Sequence, residues 1–417
     1  MMHQIVRPAA LAALCVVAYG CAPQSSNPTT EPQPPGRAER LARSHLIIDT
    51  HIDVPFRLQR QASNVAVSAP DGQFDYPRAR TGGLNAPFMS IYTPASVDES
   101  GEAFAFAEQA IDVVQALAAV NPDEFALATC TADLQAQFKR GLISLPMGME
   151  NGGPIDHKLN NLEHFFNRGV RYITLAHSKS NHLSDSSYDR NEAWGGLSPF
   201  GKQIIPQMNR LGVMVDVSHL SDKAFWQVLE LSATPVLATH SSMRHFTPGF
   251  QRNMSDEMVA ALAARGGVIQ INFGSGFLHQ PARDFAEART LAAKEYQLAN
   301  HLPDSDPALM QFLIDYRERH PYPYASLDIV LDHIDRAVQV GGIDAVGIGS
   351  DYDGVGDSLP DGLKDVASYP NLIRGLMARG YGDQAIIKIL GGNTLRVWQA
   401  AEDFARRQGT ETRCVSS

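Results

Sequence analysis

Thiol chemistry has little to work with in this chain. Its 417 residues hold four cysteines, Cys15, Cys21, Cys130 and Cys414, and no two are spaced as a CxxC pair. A thiolate zinc site is therefore not expected. Basic clusters are missing as well: the formal net charge is −10, and no block of Lys and Arg occurs. Phosphate binding needs such clusters, so no nucleic-acid partner is expected. Beyond the N-terminus, no apolar run reads as a membrane-spanning helix. Cys15 falls inside the N-terminal apolar run. Cys130 and Cys414 either form a disulfide in an oxidising compartment or remain two unrelated thiols, because spacing alone does not show that cysteines meet in space.

The chain opens with an address. His3 and Arg7 precede an apolar stretch from Pro8 to Tyr19, which ends at Gly20-Cys21. A basic flank, a short apolar core and a small residue at the cut read as a signal peptide over residues 1–20. A Cys directly after the small residue resembles the lipobox of bacterial lipoproteins, in which that Cys receives diacylglycerol. Ala18 and Tyr19 depart from the usual lipobox, so cleavage nearby without lipidation stays open. Residues 21–36 are rich in Pro, Ser and Thr and read as an extended tether. Residues 37–417 then form one domain. This pattern predicts export to the bacterial cell envelope, periplasmic or outer membrane, with anchoring through Cys21.

At 44% hydrophobic residues the domain has ample material for a large core. Short apolar, β-rich runs alternate with helical stretches, the signature of repeated βα units. The candidate strands are 45–49, 86–92, 142–148, 170–176, 212–218, 235–239, 267–272 and 344–350. Eight near-continuous apolar runs suit parallel strands buried on both faces, hence an α/β fold of the (β/α)₈ TIM-barrel type. Helices are expected at 102–120, 156–168, 200–210, 221–231, 255–265 and 371–379. Between the seventh and eighth strands lies a long helical insertion, with patterns at 282–300, 306–319 and 326–340. It is expected to cover part of the barrel mouth, where active sites of this fold sit.

His, Asp and Glu gather where the strands end. The groups are Asp49-Thr50-His51-Ile52-Asp53, Glu150, His177, Asp216-Val217-Ser218-His219, His240 and Asp351-Tyr352-Asp353. Imidazoles and carboxylates suit zinc, and a bridging carboxylate can hold two ions about 3.5–4 Å apart. On an extended segment, residues i and i+2 point the same way, so His51 and Asp53 can serve one ion. Each piece alone has a plainer reading. Asp49 can cap a turn, His219 and His240 can be satisfied rim histidines, Glu150 can solvate a loop, and Asp351 and Asp353 suit the DYDG turn. Their joint placement after successive strands favours the metal reading.

The chain resembles the membrane (renal) dipeptidases, peptidase family M19, from about Leu46 to Val397. The likeness is carried by DTHID (49–53), GMENG (148–152), RYITLAHS (171–178), DVSHLS (216–221), ATHSS (238–242), RN (252–253), GIGSDYDGV (347–355), GLKDVASYPNLI (362–373) and GGNTLRV (391–397). That resemblance implies a binuclear-zinc barrel that cleaves L-L dipeptides, and L-D dipeptides as well, by a metal-bridging hydroxide. It implies His51 and Asp53 on the first zinc, His219 and His240 on the second, and Glu150 bridging both. His177 would contact substrate and stabilise the oxyanion, Arg252 would hold the free carboxylate, and Asp351 would shuttle the proton. A homodimer is implied by the same analogy. Two departures stand out: Asn151-Gly152 replaces the two glycines usual in animal members, and the loop 177–194 differs from theirs. Two other classes stay in view. One is an amidohydrolase-type hydrolase of lactones, esters or N-acyl amino acids; the other is a lipoprotein that binds peptides without cutting them.

Overall fold

The computed structural model describes residues 36–303, 305–411, 414 and 415. The expected signal peptide and all of the tether except Gly36 lie outside the described residues. Eight strands close into a barrel: β1 (Ile48–Ile52), β2 (Ala86–Tyr92), β3 (Met147–Glu150), β4 (Val170–Thr174), β5 (Met214–Asp216), β6 (Leu237–Ser241), β7 (Val268–Ile271) and β8 (Val346–Ile348). Every neighbouring pair is parallel, and β8 closes on β1 through Asp49 and Ile348. The strand residues are buried throughout apart from Tyr92, as strands lined by side chains within and helices without must be.

Three details differ from expectation. The run 142–148 is two strands, not one. Ile143–Leu145 pairs with Phe125–Leu127 in a separate two-stranded sheet, and only Met147–Glu150 enters the barrel. Pro146 separates them; it has no N–H for a ladder, although its carbonyl accepts from Met89 N at 2.8 Å. Next, β1 and β6 run further than predicted, so His51 and His240 lie within strands rather than beyond them. Finally, Ala103–Val120 is long and apolar enough, by length and composition, to cross a membrane. Here it packs on the barrel, with Ala103, Ala107, Ala110, Ile111, Val114 and Ala118 buried at helical spacing.

The connection from β7 to β8 is helical as predicted: Ser275–Leu278, Gln280–Ala299, Pro307–Arg319 and Leu327–Gly341. Gln280–Ala299 buries only Ala282, and Pro307–Arg319 buries none of its residues. The insertion meets the barrel mouth through Gly276, Phe277 and Tyr322, which flank this pair.

At the opposite end the barrel is plugged. Ile48, Ala86, Phe88, Tyr172, Met214, Leu237 and Val268 form one apolar cluster with Val397, Trp398 and Ala401 of the helix Asn393–Arg407. The Phe88 ring lies 5.3 Å from that of Trp398 and 5.4 Å from that of Tyr172. Arg396 fixes the helix by donating to the carbonyls of Gly266 and Asp344, just ahead of β7 and β8. Cys130, the N-cap of Thr131–Arg140, is disulfide-bonded to Cys414, which ties residue 414 to the start of that helix.

Candidate metal centre

The C-terminal ends of the strands carry the ionisable residues. His51 on β1, Glu150 at the end of β3 and His240 on β6 are buried, and Asp53, His219 and Asp351 are nearly so. His177, from the loop after β4, keeps a partly exposed side chain. Two of these residues sit in left-handed backbone, His219 at φ +68° and Asp351 at φ +63°. For a non-glycine residue this costs of order 1 kcal/mol, and it persists only where the surroundings hold it. Ser187 N donates to the His219 carbonyl at 2.7 Å, and Asp351 N donates to the His51 carbonyl at 3.1 Å.

Glu150 is the hub. Its Oε2 lies 3.5 Å from His51 Nε2, which is itself 3.5 Å from Asp53 Oδ2. Its Oε1 lies 3.1 Å from both His219 Nε2 and His240 Nε2, and 3.5 Å from His177 Nε2. The two oxygens of one carboxylate thus face two different sets of side chains. Three overlapping groups have ligand atoms close enough to share an ion: His51, Glu150 and His240; Glu150, His177 and His219; His51, Asp53 and Asp351.

Hydrogen bonds behind the histidines fix which nitrogen faces inward. Tyr172 OH donates to the Thr50 carbonyl at 2.9 Å, so toward His51 Nδ1, also at 2.9 Å, it can only accept. His51 therefore carries its proton on Nδ1 and turns a lone pair inward on Nε2. The Tyr172 ring gets this close because Gly148 has no side chain; a Cβ there would overlap the ring. His240 is set in the same way: Thr239 Oγ1 donates to Asp216 Oδ2 at 2.6 Å and so accepts from His240 Nδ1 at 2.9 Å. Such outer partners commonly orient metal-binding imidazoles.

The result is a pocket of facing acceptors. His219 Nε2 and His240 Nε2 are 2.9 Å apart, beside Glu150 Oε1. His51 Nε2 and Asp53 Oδ1 are buried with no hydrogen-bond partner among the described residues. Unpaired lone pairs and carboxylates crowded out of water call for positive charge between them. The donor set fits divalent cations held by imidazole and carboxylate.

With no cation between these groups, protons on the imidazoles balance the carboxylates instead. Burial pushes the Glu150 carboxyl up, yet the His177 and His51 imidazoles and hydrogen bonds from His219 and His240 hold it well below the usual range. Burial pushes His51 down, but Tyr172, Glu150 and Asp53 raise it well above the usual imidazole range. For Asp351, burial dominates; His51 opposes it, Asp53 and Glu150 reinforce it, and the carboxyl rises to about 7.

Above these groups opens a cavity of about 1,090 Å³, with Asp53, Glu150, His177, His219 and Asp351 on its floor and Phe56, Tyr92, Tyr188, Phe277 and Tyr322 among its walls. Arg252 is buried beside it and is not one of the lining residues. Its NH1 donates to Ser241 Oγ and its NH2 to the His240 carbonyl, while Nε has no partner among the described residues. All eight residues expected at the site therefore converge on one end of the barrel, with Arg252 set behind the wall. Tyr92, Tyr172 and Asn272 were missed. Tyr92 and Asn272 stand at or just after strand ends, as the ionisable residues do, but neutral side chains carry no charge signal.

Residues 36–412 match the family model of membrane dipeptidases, peptidase family M19. The chain is 30% identical over 388 residues to an uncharacterized dipeptidase of Schizosaccharomyces pombe, covering 89% of this chain and 84% of that protein. It is 31% identical over 406 residues to dipeptidase ataJ of Aspergillus terreus, covering 90% and 89%. The crystal structure of the probable dipeptidase PvdM from Pseudomonas aeruginosa matches with a TM-score of 0.75 at 30% identity, over 88% of this chain and 98% of that one. The barrel, its metal-binding residue groups and these matches together make the chain an enzyme of the membrane dipeptidase family, peptidase family M19.

Proposed function

We propose that this chain hydrolyses dipeptides, L-L and also L-D, with two divalent cations, zinc in the first instance, shared through Glu150. His51 and Asp53 would hold one cation and His219 and His240 the other. The observation that carries this reading is the split of Glu150, whose Oε2 faces His51 while Oε1 faces His219 and His240. Cations bound there would supply Lewis acidity at the scissile carbonyl and a water acidic enough to attack at neutral pH.

The chain's own residues do the rest. Asp351, at the cavity floor, takes the proton of the attacking water and returns it to the leaving amine. His177, at the cavity floor, donates to the oxygen that gains charge. Arg252 draws the free carboxylate of the dipeptide toward its unpaired Nε. Tyr92, Tyr188 and Phe277 shape the walls around the two side chains.

The test is a panel of L-L and L-D dipeptides, lactones, esters and N-acyl amino acids, assayed before and after chelation. Dipeptide hydrolysis should vanish with the chelator and return with zinc. Glu150→Ala should lose more than about 100-fold, beyond the ~10–100-fold typical of outer-sphere changes. Full dipeptidase activity in that variant, or turnover of only the other substrates, would refute the assignment.

A further inference from the structure

Asp351 can serve a moving proton only if one particular oxygen is turned toward it. We propose that Asn272 is a positioning residue for Asp351: it ties down Oδ2 and leaves Oδ1 as the oxygen that exchanges the proton. This rests on the proton-transfer role assigned to Asp351 above.

Asn272 follows β7 directly and is fully buried. Its amide orientation is dictated by its neighbours. The Gly274 N–H can only donate, and it donates to Asn272 Oδ1 at 2.7 Å. The other end of the amide is therefore Nδ2, which donates to Asp351 Oδ2 at 2.7 Å. Asn272 N is also held, by the Ser241 carbonyl at 3.0 Å. The side chain cannot turn without breaking both of its bonds at once.

The second oxygen is placed from the opposite side. A Cβ on Gly354 would overlap both Asp351 Oδ1 and Asp53 Oδ2, so these two oxygens stand together over a position that admits no side chain. Oδ1 thus faces the group of residues that would hold the cations, while Oδ2 faces away, toward Asn272. Rotation of the carboxylate would exchange the two oxygens, and the bond from Asn272 opposes it. An amide suits this task because it does not titrate. It neither takes up the transferred proton nor competes for it, as a His or Lys at this position would.

The test is a double-mutant cycle on the zinc-loaded full-length enzyme, with Asn272→Leu and Asp351→Ala alone and together. Asn272→Ser serves as a second variant should the leucine disturb the loop. Losing a hydrogen bond to a charged group should lower kcat about 10- to 100-fold, with KM and bound zinc within about twofold of wild type. In the Asp351→Ala background the same substitution should cost less than about twofold, because nothing remains to be aimed. An equal loss in both backgrounds, or a parallel loss of zinc, would show that Asn272 merely supports the fold and would overturn the proposal. So would an Asn272 variant with wild-type kcat while Asp351→Ala is inactive. If Asp351→Ala itself keeps wild-type kcat, the proton-transfer role fails first and the positioning role with it.

Discussion

The two ends of this barrel treat buried ionisable groups in opposite ways, although the neutral Trp398 Nε1 of the plug also lacks a partner among the described residues. At the plugged end, Arg171 is buried and bonded: Nε donates to Thr129 O, NH1 to Phe166 O and Val170 O, and its guanidinium lies 4.4 Å from the Phe166 ring centroid. Glu402 there accepts from both Thr131 N and Thr131 Oγ1. At the open end, His51 Nε2, Asp53 Oδ1, His219 Nδ1 and Arg252 Nε are buried without partners among the described residues, and His219 and Asp351 sit in left-handed backbone. Unmet polar groups and backbone strain cost free energy, so they persist only where something else compensates. The plugged end supplies that stability, and the open end is arranged for ligands that the protein itself does not contain.

Three experiments can break this division or sharpen it. The largest effect on stability should come from Trp398→Ala, since a fully buried Trp lost from a core costs about 3–5 kcal/mol. The urea midpoint should fall sharply while kcat of the folded enzyme stays near wild type; loss of kcat at unchanged stability would erase the distinction between the ends. Gly354→Ala should do the reverse. Its Cβ must displace the Asp53 and Asp351 carboxylates, so kcat should drop about 100-fold, or about 2.7 kcal/mol, with little change in melting temperature. An active Gly354→Ala variant would mean that these carboxylates tolerate displacement.

His333 sharpens the comparison from within the open half. It is buried but paired: Nδ1 accepts from Met243 N at 3.0 Å and Nε2 donates to Leu278 O at 2.7 Å, which joins the loop after β6 to the start of the insertion. Burial pushes its pKa down to about 4, against the raising effect of the Leu278 carbonyl. The folded value lies below the ordinary ~6.5, so below that pH the unfolded chain binds the extra proton. The stabilising contribution is complete above about pH 6.5 and is lost as pH falls toward 4. Between pH 7 and 4.5 the difference amounts to about 2 kcal/mol. Urea titrations of His333→Gln should lose that part of the pH slope; an unchanged slope would place the acid sensitivity elsewhere.

Much of this was legible in the residues, for identifiable reasons. Buried parallel strands are apolar on both faces, so all eight barrel positions stand out as runs, and an ionisable residue at the end of such a run is conspicuous. The break at Pro146 was hidden because Leu142–Leu145 and Met147–Gly148 are equally apolar, although one pairs outside the barrel and the other within it. The partners that aim the site were hidden for a different reason. Tyr172 lies inside β4 and reads as core, and only the proximity of Gly148 on β3 reveals that its hydroxyl reaches His51. Asn272 and Thr239 are neutral and work through single hydrogen bonds that no spacing rule marks. The left-handed backbone of His219 is set by contacts across loops, again beyond what local pattern conveys.

The most direct check is elemental analysis of the enzyme purified without chelators, alongside Glu150→Ala prepared identically. If one carboxylate joins two cation sites, wild type should hold close to two equivalents of divalent metal per chain, and the variant should lose both together. Less than one equivalent in wild type, or two retained in the variant, would contradict it.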